Sequence, residues 1–261
     1  MASNPLTRYF LRAIQLSSNL ATLAACRLVR WTGKSSRAIH PKHLVGDLLG
    51  EWYVSRVRPD DCILDLGAGV GIHAGRCRRA GARQVVGVDR SEKNLAAARA
   101  LVAPAGVRLV RCDATKPLPF RSEVFTGALL LDILEHLQDA EAAVRECVRV
   151  LRPGAWVAVA LPNSETTWKQ RYRRAGLFWM SDRDHKQEYT WPEIVRLLEA
   201  AGLRVGSGPD TIALDTPLTG WIDLIGGFSL GIYRRVTEWR IREAARRPRE
   251  STGFRCIAIK S

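Results

Sequence analysis

Hydrophobic and polar positions divide the chain into a central alternating part and two flanks. Continuous apolar runs predict buried strands at residues 61–66, 84–89, 107–112, 124–131 and 155–161. Amphipathic spacing predicts helices between and after these strands, at residues 71–81, 91–102, 139–151 and 191–201. This alternation is typical of an α/β fold in which helices cover both faces of a parallel sheet.

The flanks have a different pattern. Residues 203–206 and 254–259 could supply two more strands, which would give seven. Residues 207–252 do not fit the alternation, and we interpret them as an insertion before the last strand that faces the substrate or a membrane. Residues 1–57 form a predicted helical extension, with a second apolar stripe over about 43–57. The predicted domains are therefore residues 1–57 and 58–261.

The first helix carries arginines and apolar residues but no acid. Ser3 or Asn4 can cap it, Pro5 suits its first turn and Gly33 ends it. Its apolar residues recur at three- and four-residue spacing and are Leu6, Tyr9, Phe10, Ala13, Ile14, Leu20, Leu23, Ala24, Leu28 and Trp31. Three interpretations stay open: a helix packed on its own domain, a helix on a membrane surface, and a cleavable organelle-targeting segment.

Composition excludes several classes of protein. The 261 residues are 46% hydrophobic and 25% charged, which excludes a disordered or fibrous chain. No apolar run reaches the roughly 18 residues of a membrane span. The six cysteines are scattered without a C-x-x-C pair, which favours reduced thiols in the cytoplasm.

The positive charge is concentrated at the two ends of the chain. The net charge is +14, yet residues 47–168 carry 16 basic and 15 acidic side chains. Residues 1–46 hold seven basic side chains and no acid, and residues 169–261 carry a net charge of +6. Such flanks suggest an anionic partner: a membrane surface, a nucleic acid or an acidic substrate. We expect a cytoplasmic protein with peripheral membrane binding.

The strongest chemical signal is residues 63–71, ILDLGAGVG, where an acid closes a buried strand and three glycines alternate. Glycines let the strand-to-helix turn pass close to a ligand, and the following helix offers free N–H groups. A dinucleotide-binding turn would need glycine at position 72, where Ile72 stands. Asp65, just before the glycines, suits a cationic ligand such as an amino group or a sulfonium.

Carboxylates also follow the next strands. Asp89 ends the second predicted strand and can accept hydrogen bonds from ribose hydroxyls. Asp113 follows the third, and the segment 130–137, LLDILEHL, follows the fourth. The carboxyl ends of parallel strands share one edge of the sheet, where open α/β folds bind ligands.

Taken in order, these motifs resemble class I S-adenosylmethionine-dependent methyltransferases of the type 11 group. The matching segments are ILDLGAGVGIHA, VVGVDRS, CDAT, VFTGALLLDILEHL, RECVRVLRPGA and HKQEYTWPEIVRLLEAAGLRV. They cover about residues 60–206 and the last strand. The resemblance implies a Rossmann-like doubly wound sheet of seven strands with an antiparallel last strand, and S-adenosylmethionine as cofactor.

The resemblance also implies roles for single residues. The turn residues Gly67, Ala68, Gly69 and Gly71 would line the methionine and ribose part of the cofactor. Asp65 would help hold the methionine amino group, and Leu131 would supply backbone near it. Asp89, with Arg90 beside it, would bind the ribose hydroxyls. Asp113 and Ala114 would meet the adenine.

His136 is the predicted catalytic residue. Asp132, Glu135 and His136 are spaced to share one helical face, and some quinone O-methyltransferases that resemble this chain bind a divalent cation with such a trio. Three roles stay open: lining of the pocket, general base, and metal ligand. A histidine base would fit because its pKa lies near neutrality. His185 and Tyr189 resemble positions near the substrate mouth, although packing at the start of a helix would also explain them.

The acceptor is expected to be a small, hydrophobic or lipid-like molecule. Of the eight tryptophans, several lie outside the cofactor core, among them Trp168, Trp179, Trp191, Trp221 and Trp239. Tryptophan beside arginine is typical of a surface that meets an anionic membrane. Nucleic acid is an alternative substrate, but the Asp/Asn-Pro-Pro-aromatic tetrad of base-amine methylation is replaced by Leu131-Asp132-Ile133-Leu134. A module that binds the cofactor without turnover is a further alternative.

Overall fold

Eight strands form one sheet in the computed structural model, which describes residues 4–36, 38–49, 51–102, 105–206 and 208–261. The strands are β1 (Cys62–Leu66), β2 (Gln84–Asp89), β3 (Val107–Arg111), β4 (Phe125–Leu131), β5 (Leu151–Pro162), β6 (Leu203–Val205), β7 (Asp210–Thr211) and β8 (Gly253–Lys260). Their order is β3-β2-β1-β4-β5-β8-β6, and β7 pairs with β8. Pairing is parallel from β3 to β5 and antiparallel between β8 and β6.

The predicted doubly wound α/β fold is confirmed, with one strand more than the seven predicted. The additional strand is β7, and two residues are too few to show a period of two in a sequence. The helices are α1 (Pro5–Trp31), α2 (Gly46–Leu49), α3 (Ile72–Arg79), α4 (Glu92–Val102), α5 (Ala140–Val150), α6 (Thr167–Arg174), α7 (Trp191–Ala200), α8 (Thr219–Phe228) and α9 (Leu230–Arg246).

Alternating side chains of the central strands bury two separate apolar clusters. Leu64 and Leu66 of β1 belong to a cluster that includes residues of α5 and α7. Ile63, directly before Leu64, belongs to a second cluster that includes residues of α3 and α4. The period of two therefore gives each face of the sheet its own helical cover.

Two predicted elements differ from the structure. The fifth strand begins at Leu151, four residues before the predicted start, because Leu151 pairs with Phe125 across a register shift in β4. The apolar stripe over 43–57 is not one helix. It contains a 3-10 turn (Pro41–Val45), the four-residue α2 and a second 3-10 turn (Val54–Arg56).

The chain folds into two compact units. Unit 2 consists of residues 52–162, 182–210 and 254–261 and contains nearly all of the sheet. Unit 1 consists of residues 1–51, 163–181 and 211–253 and contains α1, α6, α8 and α9. The predicted domain boundary between residues 57 and 58 stays a prediction.

Within unit 1, α1 packs on α8 through small residues. The buried residues of α1 are Ser18, Ala21, Ala25 and Val29, at helical spacing. The N–H of Gly220 in α8 donates to Ser18 Oγ (2.9 Å), and a Cβ at Gly220 would overlap the Ser18 carbonyl oxygen. Most of the large apolar residues that recur along α1 are exposed instead. Among the described residues, no helix is both long enough and apolar enough to span a bilayer.

Candidate functional site

The glycine turn after β1 is held by backbone hydrogen bonds to the end of β2. The N–H groups of Gly67 and Ala68 donate to the Val88 carbonyl oxygen at 2.8 and 2.9 Å. Gly67, Gly69 and Gly71 all have positive φ, at 78°, 54° and 81°. Glycine adopts this conformation at little cost, which explains the alternation seen in the sequence.

The three glycines face different surroundings. A Cβ at Gly67 would lie 2.6 Å from the side chain of Ile133, and one at Gly71 would lie 2.9 Å from Val102. A Cβ at Gly69 would meet nothing within 4 Å. Packing within the protein therefore explains the first and third glycines, whereas Gly69 borders open space where a ligand can approach the backbone.

Asp89 is joined directly to this turn. Its Oδ2 accepts a hydrogen bond from the Gly69 N–H (2.9 Å), and its Oδ1 accepts from the Ser91 N–H (2.8 Å) and from Asn94 Nδ2 (3.4 Å). Each carboxylate oxygen can accept two hydrogen bonds, so Oδ2 keeps capacity for a hydroxyl donor. Arg90, next in the chain, is exposed.

Asp65 is buried at the end of β1. Its Oδ2 accepts a hydrogen bond from the Ala74 N–H of α3 (2.9 Å), which ties the strand to the helix. Burial raises the pKa of Asp65 to about 7; the bond from Ala74 opposes this shift, and the nearby Asp89 adds to it. The carboxyl group thus titrates near neutrality, and a cation bound beside it would favour its charged form.

Asp113 and Ala114 follow the third strand. Asp113 Oδ1 accepts hydrogen bonds from the Thr115 N–H (2.9 Å) and the Thr115 hydroxyl (2.8 Å). The backbone bond and then the hydroxyl bond lower the pKa of Asp113, so it is charged at neutral pH. Ala114 is buried beside it.

Leu131 ends β4 and is partly buried. Strands β3, β2, β1 and β4 are adjacent, so their four carboxyl ends form one row. The residues at these ends are Asp65, Asp89, Asp113 and Leu131, as the sequence predicts, and the structure joins Asp89 to Gly69 directly.

A second group of titratable residues follows β4. The His136 and His185 rings meet edge to face, with centroids 4.7 Å apart. Glu135 is 1% exposed, and its Oε1 lies 4.0 Å from His185 Nε2. Burial, followed by the neighbouring His185, lowers the pKa of His136 below its ordinary value of 6.5. At neutral pH, His136 is therefore a neutral imidazole.

The predicted trio of Asp132, Glu135 and His136 is corrected by the local backbone. Residues Leu134–His136 form a single 3-10 turn and not an α-helix, and Asp132 is exposed with a φ of 52°. His185 takes the third place in the group. Glu135, His136 and His185 each offer one ligand atom, all within 4.8 Å of one another.

This group of donors fits a divalent metal ion. His185 Nδ1 lies 2.9 Å from Glu188 Oε1, so its Nε2 is the nitrogen nearer Glu135. A carboxylate behind a ligating imidazole is common at metal sites, and two imidazoles with one carboxylate suit transition metals such as Zn²⁺ or Mn²⁺. The sequence pattern does not identify Glu188 as part of this group, although Glu188 follows His185 at a spacing of three residues.

Tyr189, predicted near the substrate mouth, is buried. It belongs to the apolar cluster with Ile194 and Leu198 of α7. Burial, and then the nearby Glu135, raises the pKa of Tyr189 to about 12, so the phenol is neutral at physiological pH. His185 is buried as well, at 9% exposure.

The chain is similar to known methyltransferases in sequence and in fold. A family model described as a methyltransferase domain matches residues 64–159, from β1 into β5. The ubiquinone biosynthesis O-methyltransferase of Parvibaculum lavamentivorans is 31% identical over 158 residues, which are 57% of this chain and 62% of that protein. The corresponding protein of Sinorhizobium medicae is 35% identical over 102 residues, 39% of this chain and 41% of that protein. The chain thus matches less than two thirds of the length of either relative.

A solved structure extends the similarity beyond the matched domain. The crystal structure of a SAM-dependent methyltransferase from Archaeoglobus fulgidus has a TM-score of 0.60 at 18% identity. The similarity covers 84% of this chain and 94% of the archaeal one, so the two share a Rossmann-like fold. S-adenosylmethionine is the cofactor that this family and fold imply. Residues 64–159 are therefore similar to the methyltransferase domain, in agreement with the resemblance of the sequence motifs to the class I, type 11 group.

Proposed function

We propose that this chain transfers a methyl group from S-adenosylmethionine to a hydroxyl of a small, hydrophobic, lipid-like acceptor. The observation that carries the proposal is the open space at Gly69, next to the carboxylate row. A Cβ there would meet no protein atom within 4 Å, while the Gly69 N–H is fixed to Asp89. A ligand with a ribose and a cationic group is complementary to that arrangement.

The residues of the row fit the different parts of such a cofactor. Asp89 would accept hydrogen bonds from the two ribose hydroxyls, and Asp113 with Ala114 would meet the adenine. Asp65 would face the methionine amino group, whose positive charge offsets the energetic cost of ionising a buried carboxyl. Gly67, Ala68, Gly69 and Gly71 would supply the backbone surface, with Arg90 and Leu131 beside it.

Bound S-adenosylmethionine supplies a methyl group already activated on a sulfonium. The chain therefore has to position the acceptor and remove its proton, and positioning alone can contribute much of the rate. His136 is suited to the second task, because its lowered pKa keeps the imidazole neutral and able to accept a proton. His185, in edge-to-face contact with it, would be a positioning residue.

The group Glu135, His136 and His185 favours a second route to the same reaction. A divalent cation held there would lower the pKa of a coordinated hydroxyl, and His136 would then be a ligand and not a base. Dialysis against a chelator distinguishes the routes, because only the second predicts loss of protein-bound metal together with activity.

The names of the relatives support the acceptor class. Both are called ubiquinone biosynthesis O-methyltransferase, which points to oxygen as the methyl acceptor. A hydrophobic acceptor would be drawn from a membrane, so we propose that the protein also associates peripherally with one. The alternatives are methylation of nucleic acid and a module that binds the cofactor without turnover.

Transfer of a labelled methyl group tests the function. Protein and methyl-labelled S-adenosylmethionine are incubated separately with lipid extract, polar extract, and each extract after RNase treatment. We expect label in the lipid fraction, insensitive to RNase. Label confined to RNA, or no label although the cofactor binds, would refute the proposed acceptor or the proposed turnover.

The variant Asp89→Ala tests the proposed cofactor site. It removes the ribose acceptor and the bond from Gly69, so we expect cofactor affinity to fall roughly 10- to 100-fold, as for a charged hydrogen bond worth about 1.5–3 kcal/mol. Glu92→Ala is the control, because Glu92 is an exposed acid in α4 that pairs only with Arg99 among the described ion pairs. Calorimetry that gives equal affinities for the two variants would contradict the assignment.

The pH dependence of transfer tests His136. A base must be neutral to accept a proton, so the wild-type rate should be constant at neutral pH and fall below the pKa of His136, which lies under 6.5. His136→Gln should lower kcat about 100-fold or more and remove that acidic limb, with cofactor affinity unchanged. An unchanged pH profile in the variant would exclude His136 as the base.

A further inference from the structure

One side of α1 presents an uncovered row of large apolar residues. We name it the outer stripe. Leu6, Tyr9, Leu16, Leu20 and Leu23, with the small Ala13 among them, recur every three or four positions, and Trp31 follows eight positions after Leu23. Tyr9 is 70% exposed, Leu20 is 67% exposed and Trp31 is 82% exposed. Their spacing puts them on one side of the helix, opposite Ser18, Ala21 and Ala25, which pack against α8.

The packing of α1 inside unit 1 fixes the direction in which the outer stripe points. Gly220 bonds to Ser18 from α8, and Thr22 Oγ1 donates to Asp223 Oδ2 (3.3 Å). Trp221 extends the apolar surface, because its Nε1 donates to Ser17 Oγ (3.3 Å) while 48% of the residue is exposed. Exposing so much aromatic and aliphatic surface is costly in water and marks an interaction surface.

The positive charge of α1 and of unit 1 indicates what kind of partner would bind the outer stripe. The arginines of α1 are all exposed and no acid accompanies them; they are Arg8, Arg12, Arg27 and Arg30. Unit 1 as a whole has 18 Lys and Arg against 8 Asp and Glu, so it carries +10 of the net charge of +14. A surface that combines exposed apolar residues with uncompensated arginines is complementary to anionic lipid headgroups over acyl chains.

A second copy of the chain is less complementary to the outer stripe than an anionic lipid surface is. Spacing of three and four residues would also suit a coiled coil, but α1 offers no acid to pair with its arginines. Two copies of α1 would bring like charges together. Arg27 lies within the row, between Leu23 and Trp31, where it would be buried in such an interface.

We propose that the outer stripe docks unit 1 on an anionic phospholipid bilayer, with α1 lying in the plane of the headgroups. Leu6 and Trp31 are separated by about 37 Å along the helix, at about 1.5 Å per residue. The apolar side chains would enter the boundary between headgroups and acyl chains, and the arginines would stay with the phosphates. This inference rests on unit 1 alone and does not depend on methyl transfer.

Vesicle sedimentation without S-adenosylmethionine tests the proposal. Full-length protein is mixed with phosphatidylcholine vesicles that contain or lack phosphatidylglycerol, at low and high salt. We expect binding to the anionic vesicles only, weaker at high salt. The triple variant Leu16→Ser, Leu20→Ser, Leu23→Ser should bind at least about tenfold more weakly, because three apolar side chains no longer leave water.

Leu101→Ser is the matched control, since Leu101 is a 52% exposed leucine of α4 in unit 2. It should bind vesicles like the wild type, and circular dichroism should give the same helix content for all three proteins. Equal binding of the triple variant and the wild type would overturn the proposal, as would the absence of any binding to anionic vesicles. A wild-type dimer in solution that the triple variant dissociates would assign the outer stripe to a subunit interface instead.

Discussion

Single residues in the glycine turn have separate physical reasons that the sequence pattern does not separate. Gly67 and Gly71 lie against Ile133 and Val102, residues that are distant in sequence, so their need for hydrogen as a side chain arises from tertiary packing. Gly69 combines a left-handed backbone with open space. In the sequence, all three glycines equally indicate a turn that lies close to a ligand.

Alanine at these positions should therefore have different effects. Gly71→Ala places a methyl group 2.9 Å from Val102 at positive φ, so we expect the free energy of unfolding to fall by about 2 to 4 kcal/mol. Gly69→Ala should cost only about 1 to 2 kcal/mol of backbone strain but should weaken cofactor binding about tenfold or more. Urea unfolding and calorimetry measure the two effects. A larger loss of stability in Gly69→Ala than in Gly71→Ala would contradict this explanation.

The sequence predicts the row of site residues because each lies at the end of a strong apolar strand. Asp65, Asp89 and Asp113 are found where the alternation places them. The sequence predicts the group around His136 incompletely. The helical spacing of Asp132, Glu135 and His136 does not hold in a 3-10 turn, and His185 comes from a segment about 50 residues later. Local spacing carries no information about such a contact.

At the scale of elements, the sequence predicts most helices and strands but leaves open whether α1 packs on its own domain and through which face. Large apolar residues usually turn inward, so packing on the domain would be expected to use the leucines and aromatics. Gly220 and Gly227 of α8 instead let the helix axes approach closely, and the contact is made by Ser18 and Ala25. Close packing through small residues produces no strong hydrophobic periodicity.

Gly220→Ala tests this contact. The new methyl group would overlap the Ser18 carbonyl oxygen, so we expect the helices to separate and stability to fall by about 2 kcal/mol or more. Gly231→Ala in α9 is the control: its Cβ meets nothing within 4 Å, and helix propensity should stabilise it by about 0.5 to 1 kcal/mol. Thermal unfolding measures both, and equal midpoints would contradict the proposed close approach.

At the scale of the whole molecule, the sequence predicted the sheet but not the composition of unit 1. The alternation between residues 61 and 161 is local, and three of its strand pairs, β1 with β2, β2 with β3 and β4 with β5, are each connected by one short helix. Unit 1 draws on three separate segments, and no periodicity links residue 18 to residue 220. The excess of basic residues at both ends of the chain is the feature of the sequence that the segments of unit 1 share.

The uneven charge should make stability depend on salt. Unit 1 carries +10, and repulsion among its arginines opposes folding at low ionic strength. Raising sodium chloride to physiological strength shortens the Debye length to about 8 Å, and Tm should rise by a few degrees. The variant Arg8→Gln, Arg12→Gln should show a smaller rise. A Tm that falls with added salt would exclude repulsion as the dominant effect.

The distance along the chain between α1 and α8 has a consequence for protein synthesis. Gly220, which packs on Ser18, is translated 202 residues later. At roughly 5–20 residues per second, α1 waits about 10–40 s for its partner. Throughout that interval the face that packs on α8 is uncovered in addition to the outer stripe, so we expect chaperones, or lipid, to bind the nascent chain before its synthesis is complete.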